Sequence, residues 1–434
     1  MANTLPIGIV LSGTAPAMTL MSGVMLAFAE YNIEFEVIST AAVGGLVGML
    51  YLGAKGKTRE EALRALPNLF VSDWLYRFIP VNFKVFHKYG PYATAFYQLR
   101  KSLPKFDIAP DDPSPLRRFA NDWVDLWATM LTPPSLGTTS NGLMSHVPLI
   151  DDLVDFKLLA GHQTRFYLNA FSLYDRRLKL YDNRDNMVTA DVYNGAQAMF
   201  MLFPPVKAGS DQLVTGVPPV KAGSDLLVTG ASHDPTALQA IWMKERDLWG
   251  VLALEPFGKH FWRAPTDIYD AFQLMLMTPI ASLQEIMFGL YGETEQLSSS
   301  LGPPAPVLPR LYMMQVLLNP DSTRMLNWSY ENAVALQKIG YRMALPIAQV
   351  LDGRPDRATL ESRLASYRYA SGLLETPSHS RPRQVLRGIF DPVFSDFERF
   401  ATRINTEPQG RRINTETRPD RPSDPDQGRG RASQ

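Results

Sequence analysis

The first part of the chain alternates between short apolar runs and longer amphipathic stretches, which strongly constrains the fold. The run Ile7–Leu11 is continuously apolar and ends at Ser12-Gly13, as a buried parallel strand does. Met18–Tyr31 carries apolar side chains four residues apart, which predicts a helix. Phe35–Ser39 predicts a second strand. This order predicts an α/β fold with a mostly parallel central sheet.

The alternation returns in the second half of the chain. The predicted elements are helix 149–158, a hairpin of 165–171 and 178–181, helix 188–202, strand 248–254, helix 267–291, strand 311–318 and helix 329–344. Thr58 with Glu61 predicts a capping box at the start of an earlier helix. Pro346 is predicted to kink or stop the last helix, because proline has no N–H to donate.

Composition bounds the class of protein. The 434 residues are 45% hydrophobic and 20% charged, which is typical of a globular chain. Forty-three basic and 43 acidic residues cancel, so we expect no nucleic-acid partner. The absence of cysteine excludes disulfides and a thiol nucleophile. The six histidines lack metal-binding spacing, so we expect no metal and no cofactor.

The sequence also gives an expectation for the cellular compartment of the protein. No uninterrupted apolar run reaches the roughly 18 residues of a membrane span. The N-terminus lacks the basic-then-apolar pattern of a signal peptide. We therefore expect a cytoplasmic protein, with peripheral contact to a membrane or lipid surface as a further hypothesis.

Residues 70–135 are rich in aromatic side chains and predict a cap or insertion. Fourteen aromatics fall between Phe70 and Trp127, and basic residues lie among them. The favoured interpretation is a small aromatic core. The alternative is a surface that inserts rings into lipid while basic side chains contact headgroups. The basic residues are Lys84, Lys88, Arg100, Lys101 and Lys105.

One local repeat occurs in two copies in the middle of the chain. Pro-Pro-Val-Lys-Ala-Gly-Ser-Asp begins at Pro204 and again at Pro218, a period of 14 residues. We interpret it as a duplication within a surface loop.

We assign 1–350 to one domain that includes the cap, 351–402 to a helical extension and 403–434 to a disordered, Arg- and Pro-rich tail.

Several motifs together resemble the patatin-like phospholipase family over most of the chain. Ser12-Gly13 follows the first strand, and Gly44-Gly45-Leu46-Val47-Gly48 follows the second. Asp155-Phe156 before the hairpin fits the middle of the family, and Leu326-Asn327-Trp328 fits the C-terminal part of a bacterial branch. The resemblance implies a patatin-like three-layer fold and lipid acyl hydrolysis. That chemistry uses a Ser–Asp dyad with the Ser in a Gly-x-Ser-x-Gly elbow.

The elbow of this chain departs from the family pattern. It falls on Thr40-Ala41-Ala42-Val43-Gly44, so Ala42 occupies the nucleophile position. Thr40 replaces the first glycine, where a minimal side chain usually permits the sharp turn. No Gly-x-Ser-x-Gly occurs anywhere in the chain. The resemblance therefore implies an elbow without its nucleophile.

The other two catalytic elements are altered as well. The oxyanion loop falls on Gly13, Thr14, Ala15 and Pro16, which lack the family's run of glycines. Pro16 has no N–H to donate. The position of the general base falls on Thr229, whose hydroxyl cannot act as a base near neutral pH. We expect little hydrolysis by the family's mechanism.

Candidate substitutes for the lost groups are few. His233 is the strongest candidate for a replacement base, although a solvated histidine is the favoured interpretation. Ser232-His233-Asp234 contains the residue types of a triad, but sequence neighbours rarely converge in space. Ser39 is expected to point elsewhere. His146 and His162 are expected to be structural, and Asp225 is a weaker candidate.

Three functions remain open from the sequence. The first is a catalytically impaired patatin-like protein that binds lipid, acyl groups or a protein partner. The second is an active lipid acyl hydrolase with a rewired site. The third is a protein–protein scaffold whose pocket is filled, as the bulk of Met18 and Val43 would favour. An open apolar cleft at Ala42 would favour the first function over the third.

Overall fold

A computed structural model describes most of the chain up to residue 365. The described residues are 6–12, 17–106, 114–184, 187–208, 225–255, 264–265, 268–301, 308–315, 327–353 and 356–365. The tail 403–434, which is predicted to be disordered, and most of the predicted extension lie outside them, as do the oxyanion-loop positions Gly13, Thr14 and Ala15.

The described residues form ten strands and thirteen α-helices. The strands are β1 Ile7–Leu11, β2 Val37–Ala41, β3 His87–Lys88, β4 Met144–Ser145, β5 Arg165–Ser172, β6 Arg177–Asp182, β7 Val206–Ala208, β8 Asp225–Thr229, β9 Gly250–Glu255 and β10 Arg310–Gln315. The helices are α1 Met18–Glu30, α2 Gly44–Gly53, α3 Arg59–Arg64, α4 Asp73–Phe78, α5 Ala93–Ser102, α6 Pro115–Leu131, α7 Leu149–Leu153, α8 Phe156–Ala160, α9 Ala190–Gln197, α10 Leu238–Lys244, α11 Ile268–Leu301, α12 Tyr330–Asp352 and α13 Arg357–Leu364.

One sheet contains all of the described strands except β3 and β4, which pair with each other. Strands β10, β9, β1, β2 and β5 run parallel in that order. Strands β6 and β8 pair antiparallel with β5, and β7 pairs antiparallel with β8. The predicted α/β class with a mostly parallel sheet is confirmed.

Helices cover both faces of the sheet because side chains along each strand alternate between them. Ile9 and Ile38 belong to one buried cluster with residues of α1, α2 and α12. Val10 and Val37 belong to a second cluster with residues of α10 and α11. Continuous apolar strands such as β1 are the expected result of burial on both faces.

The register of β5 positions the candidate site. Ala41, the last residue of β2, pairs with Asn169. Thr229, the last residue of β8, pairs with Ala170, the next residue of β5. Ala170 also pairs with β6 through Lys179, so β8 must use the same edge of β5 as β2 does. The C-terminal ends of β2 and β8 therefore meet.

Helix α12 differs from its prediction at Pro346. The helix runs through Pro346 to Asp352 rather than stopping there. Pro346 lies on the exposed face, so the carbonyl of Arg342 that loses its N–H partner can accept from water. Ile347 and Ala348 on the opposite face remain buried. Packing of that face keeps the helix continuous.

The duplicated segments contribute two strands. Val206–Ala208 of the first copy is β7, and Asp225–Thr229 of the second copy is β8. The two pair antiparallel with Ala208 opposite Asp225. The prediction of a surface loop falls on 209–224, which lie outside the described residues.

The predicted cap contains regular helices, of which α6 has an unusual polarity. Its buried side carries Arg118, Asp122 and Asp125. Its other side carries an apolar row that we call the α6 stripe, made of Leu116, Phe119, Trp123, Trp127 and Leu131. Phe119 is half-buried, and the other four are exposed. The helix thus buries charge and presents rings to solvent.

Helix α11 is long and apolar. Its segment Leu274–Ser298 is the one stretch of described helix long and apolar enough to cross a membrane by length and composition. A core helix can satisfy the same test, and Phe288 and Tyr291 of this segment are buried in the second cluster. A search for uninterrupted apolar runs in the sequence does not identify this segment, because Gln284 and Glu285 interrupt the run.

Candidate functional site

The turn from β2 into α2 has the conformation of a strained elbow. Ala42 has a φ of +42°, in the left-handed region that costs about 1–2 kcal/mol for a residue with a Cβ. Helix α2 begins two residues later at Gly44, where an added Cβ would overlap the carbonyl oxygen of Leu11. The chain therefore keeps the sharp strand-to-helix turn, with a methyl group at its apex.

Thr40 is accommodated in this turn. Its side chain is buried, and its hydroxyl donates to the carbonyl oxygen of Tyr167 at 2.7 Å. A threonine at this position therefore does not prevent the turn. Ser39 is also engaged, since its hydroxyl donates to the carbonyl oxygen of Ala237 at 2.6 Å.

Thr229 lies beside the elbow, as the register requires. Its hydroxyl oxygen accepts from the backbone N–H of Ala231 at 3.3 Å and so caps a short 3₁₀ turn at 230–232. Ala231 packs with Ala42, Ala41 and Ala237 in a small apolar cluster. The two positions that the resemblance assigned to nucleophile and base are thus adjacent, and neither side chain can perform that role.

A cavity of about 510 Å³ opens at the elbow, and we call it the elbow cavity. Ala42, Val43 and Thr229 line one end of it, and most of the remaining lining is aliphatic or aromatic. Among the described lining residues there is no Asp, Glu, Lys or Arg. The polar members are Ser145, His146, Tyr193, Asn194, Gln197, Thr229 and Ser232. Met18 and Val43 do not fill the space.

His146 lines the elbow cavity without any acidic partner. Its Nε2 lies 3.1 Å from the carbonyl oxygen of Pro204, so Nε2 carries the proton and donates. The ring stacks on Phe203 with centroids 4.8 Å apart. Burial lowers the pKa of His146, which keeps the imidazole neutral at pH 7. The residue contributes a neutral polar group to an otherwise apolar wall.

Ser232 and His233 contact each other, although neighbours were not expected to converge. The Ser232 hydroxyl lies 2.9 Å from Nδ1 of His233 and 3.0 Å from the carbonyl oxygen of Thr229. The His233 ring stacks on Phe171 with centroids 3.9 Å apart, and burial lowers its pKa. Ser232 lines the elbow cavity, whereas His233 does not.

Asp234 does not complete a triad with these two residues. Its carboxylate is buried, accepts from the Thr236 hydroxyl at 2.6 Å and accepts from the backbone N–H of Gln239 at 2.9 Å. Burial raises the pKa of Asp234. The carboxylate thus organises the start of α10 rather than orienting His233.

Two further candidates have structural partners. Asp225 contacts the Ser172 hydroxyl at 2.7 Å and Lys179 Nζ at 2.6 Å, at the start of β8 rather than its end. His162 accepts at Nδ1 from the backbone N–H of Thr164 at 3.1 Å. Neither lines the elbow cavity. The described residues also contain no group of three or more His, Asp or Glu that could hold a metal ion.

Asn169 is a buried polar residue at the elbow that sequence reasoning missed. Its Nδ2 donates to the carbonyl oxygen of Asp234 at 2.8 Å, while its buried Oδ1 has no hydrogen-bond partner. An added Cβ at Gly230 would lie 2.6 Å from that Oδ1. The signal was present, because Asn169 interrupts the apolar run of β5. The side chain ties β5 to the segment that follows β8.

The structural comparison finds weak likenesses to solved structures. VipD from Legionella pneumophila matches with a TM-score of 0.34 and 13% sequence identity, over 80% of this chain and 67% of that chain. No protein-family model matches the sequence. No curated protein matches it either.

Proposed function

We propose that this protein binds a fatty acyl chain or a similar apolar ligand in the elbow cavity and does not hydrolyse it by a Ser–Asp dyad. The observation that carries the proposal is an uncharged cavity of about 510 Å³ that begins at Ala42. Its size lies within the range of about 300–1,000 Å³ typical of small-molecule sites. The lining favours an apolar ligand because burying an unpaired charge there is costly.

The chemistry at the elbow supports binding without turnover. Ala42 offers no oxygen or sulfur at the apex of the turn. Thr229 uses its hydroxyl as a cap. Loss of the catalytic serine alone lowers turnover about 10⁶-fold in a serine hydrolase, so little activity by that mechanism is expected.

A ligand-displacement assay tests the proposal. The full chain is titrated with a fluorescent polyene fatty acid, which is then displaced with oleate. The Met275→Glu variant introduces a charge into the cavity wall at a side chain that is already largely exposed, so folding should be preserved. The matched control is Met243→Glu, which changes an exposed methionine outside the lining.

We expect wild-type protein and Met243→Glu to bind alike and Met275→Glu to bind at least about tenfold more weakly, since a desolvated charge is costly. Absence of binding by wild-type protein would refute the proposal. Equal affinity of all three proteins would place the ligand elsewhere and also refute it.

A second candidate function is hydrolysis through Ser232, supported by the 2.9 Å contact between its hydroxyl and His233 Nδ1. Among the described residues no carboxylate contacts His233, which disfavours it as a base. Labelling by a fluorophosphonate probe and hydrolysis of short nitrophenyl esters distinguish the two functions. We expect neither above the level of heat-denatured protein. Activity that Ser232→Ala abolishes would favour the enzyme.

We further propose that the partner is a lipid surface, met through the α6 stripe. Trp123 and Trp127 of the stripe are about half exposed. The basic side chains expected to meet headgroups instead contact the protein, since Lys84 pairs with buried Asp122 and Lys101 pairs with Asp152. This arrangement supports ring insertion rather than charge attraction as the source of affinity. A protein partner on the same stripe is the alternative.

A further inference from the structure

A second cavity of about 500 Å³ lies between α4, α6 and the start of α12. We call it the arginine cavity, and it shares no lining residue with the elbow cavity. Its described lining is Arg64, Pro67, Ser72, Asp73, Trp74, Pro115, Arg118, Phe119, Tyr330, Glu331, Val334, Gln337 and Lys338. Unlike the elbow cavity, it combines charged and apolar walls.

Arg118 is the central feature of this cavity. The residue is only 6% exposed, and its guanidinium carbon lies 3.4 Å from the centre of the Tyr330 ring. Its Nη2 is buried and has no hydrogen-bond partner, and no ion pair joins it to any described residue. A buried guanidinium without an acid is costly, because burial removes its hydration.

Other buried cations of the cap have acidic partners. Lys84 pairs with Asp122 at 2.5 Å, and Arg100 lies 3.6 Å from Asp125. Asp122 is one turn along α6 from Arg118, yet its second oxygen accepts from the backbone N–H of Ser72 at 2.6 Å. The acidic side chains on this side of α6 thus pair with or accept hydrogen bonds from groups other than Arg118.

The remaining polar lining supplies a second buried donor and also contains two acids, Asp73 and Glu331. The hydroxyl of Ser72 is buried without a partner, which supplies a second donor. Asp73 accepts from the backbone N–H of Glu331 at 3.2 Å, and Arg64 pairs with Glu30 at 2.7 Å. Lys338 adds an exposed positive charge at the edge. Among the described lining residues, the buried donors without a partner therefore lie at Arg118 and Ser72.

The apolar lining indicates the rest of the ligand. Trp74 is 68% exposed, and its ring lies edge-on to Phe119 with centroids 6.2 Å apart. Pro67, Pro115 and Val334 complete this wall. A cavity of about 500 Å³ is much larger than a bare inorganic oxyanion needs. The ligand should carry an apolar or aromatic group beside its charge.

We propose that the arginine cavity binds an organic phosphate, with its oxyanion at Arg118 and Ser72 and its apolar part against Trp74 and Phe119. Arginine suits this group because its planar fork matches phosphate geometry. The phosphate can belong to a lipid headgroup or to a soluble phosphate ester. The proposal is independent of the acyl-binding function, because the two cavities have no lining residue in common.

Isothermal titration calorimetry of the full chain tests this proposal. The probes are phenyl phosphate, inorganic phosphate and uncharged phenol. Phenyl phosphate should bind more tightly than inorganic phosphate, and phenol should not bind. Dihexanoyl phosphatidate compared with glycerol 3-phosphate then distinguishes a lipid headgroup from a soluble ester.

The key variant is Arg118→Met, which keeps an apolar stem over Tyr330 and removes the charge. We expect its affinity for phenyl phosphate to fall at least about tenfold, as loss of a charge-assisted hydrogen bond implies. The matched control is the neighbouring Arg117→Met, since Arg117 is exposed and does not line the cavity. That control should bind as wild-type protein does.

Trp74→Ala keeps the proposal testable if Arg118→Met fails to fold, because Trp74 is exposed. It should weaken phenyl phosphate binding and leave inorganic phosphate binding unchanged. Absence of phenyl phosphate binding by wild-type protein would overturn the proposal. Unchanged binding by a folded Arg118→Met protein, or by Trp74→Ala, would also overturn it.

Discussion

Gly23 of α1 and Gly340 of α12 lie where the two helices cross at backbone contact. A Cβ added at Gly23 would overlap the carbonyl oxygen of Gln337, and one added at Gly340 would overlap that of Leu20. The side-chain amide of Gln337 donates to the Ser22 hydroxyl at 2.9 Å beside this crossing. The close approach anchors α12 against α1.

Gly340→Ala should therefore destabilise the protein. The added methyl would force the helices apart, and overpacking of this kind costs about 1–3 kcal/mol in the free energy of unfolding. Gly353→Ala is the matched control, because an added Cβ there meets only ordinary contacts at 3.6 Å or more. Urea unfolding of both variants measures the difference. Equal stability of the two would contradict the described crossing.

Ala42→Gly should stabilise the protein. Glycine adopts a φ of +42° without the penalty of a Cβ, and we expect a gain of about 0.5–1 kcal/mol in the free energy of unfolding. The control is Ala41→Gly within β2, which should lower stability by about 1 kcal/mol because glycine is disfavoured in strands. Thermal unfolding of the pair checks the sign, and a loss at both positions would argue against a strained elbow.

The buried His87 should make stability depend on pH. Burial first, and nearby Arg100 second, lower its pKa from 6.5 to about 3. The folded state therefore disfavours protonated His87. The contribution of neutral His87 to the free energy of unfolding is fully present above pH 6.5 and is lost as pH falls towards 3. The steepest slope is about 1.4 kcal/mol per pH unit.

His87→Phe isolates this contribution, because the other histidines titrate alike in both proteins. The stability difference between wild-type protein and His87→Phe should change in the variant's favour as pH falls from 6.5 towards 4. Urea unfolding at a series of pH values measures it. A difference that stays constant with pH would show that His87 does not titrate with unfolding.

Binding to lipid vesicles should depend on the rings of the α6 stripe. The double change Trp123→Ser and Trp127→Ser should lower co-sedimentation with zwitterionic vesicles about tenfold or more, because apolar burial contributes about 25 cal/mol per Å². Salt should have little effect, since Lys84 and Lys101 are paired within the protein. Tyr174→Ser, which changes another exposed ring, is the control. Binding only to anionic vesicles would contradict ring insertion.

Restoring the dyad side chains alone should not restore hydrolysis. Ala42→Ser with Thr229→Asp places a hydroxyl and a carboxylate at the adjoining ends of β2 and β8. Pro16 in the loop after β1 still lacks an N–H, and one oxyanion donor accounts for about 10²–10³ in turnover. Nitrophenyl ester hydrolysis should therefore require Pro16→Gly as a third change. Turnover by the double variant would show that the loop is not limiting.

The sequence predicted the sheet well because its strands are buried on both faces. Such strands form continuous apolar runs, as Ile7–Leu11 and Gly250–Glu255 do, and their identity does not depend on which face is solvated. The adjacency of Ala42 and Thr229 followed from the family resemblance rather than from periodicity. The elbow cavity did not follow from either, because it is assembled from segments as distant as Met18 and Trp328.

Helix α6 was missed because apolar periodicity is normally taken to mark the buried face. Leu116, Phe119, Trp123 and Trp127 have helical spacing, but they lie opposite the charged residues that the helix buries. Arg118 on that buried side could not be identified as unpaired from sequence. Whether an arginine has an acidic partner depends on which carboxylates already pair with other cations. Lys84 and Arg100 pair with the carboxylates of α6 only because the fold places them beside that helix.

The pairing of Ala208 with Asp225 shows where the duplicated unit lies relative to the β7–β8 hairpin. Removing Asp211–Ser224 deletes one 14-residue unit and joins Ala208 to Asp225 through Gly209-Ser210 alone. Gly-Ser is a favourable two-residue link for a tight hairpin. The present connection has 16 residues, so a two-residue link would have to be doubled in length three times to reach it. Each doubling adds about 0.6 kcal/mol to the entropic cost of closing the loop. A chain without this unit would therefore have a favourable two-residue link between β7 and β8, and the unit lengthens that connection.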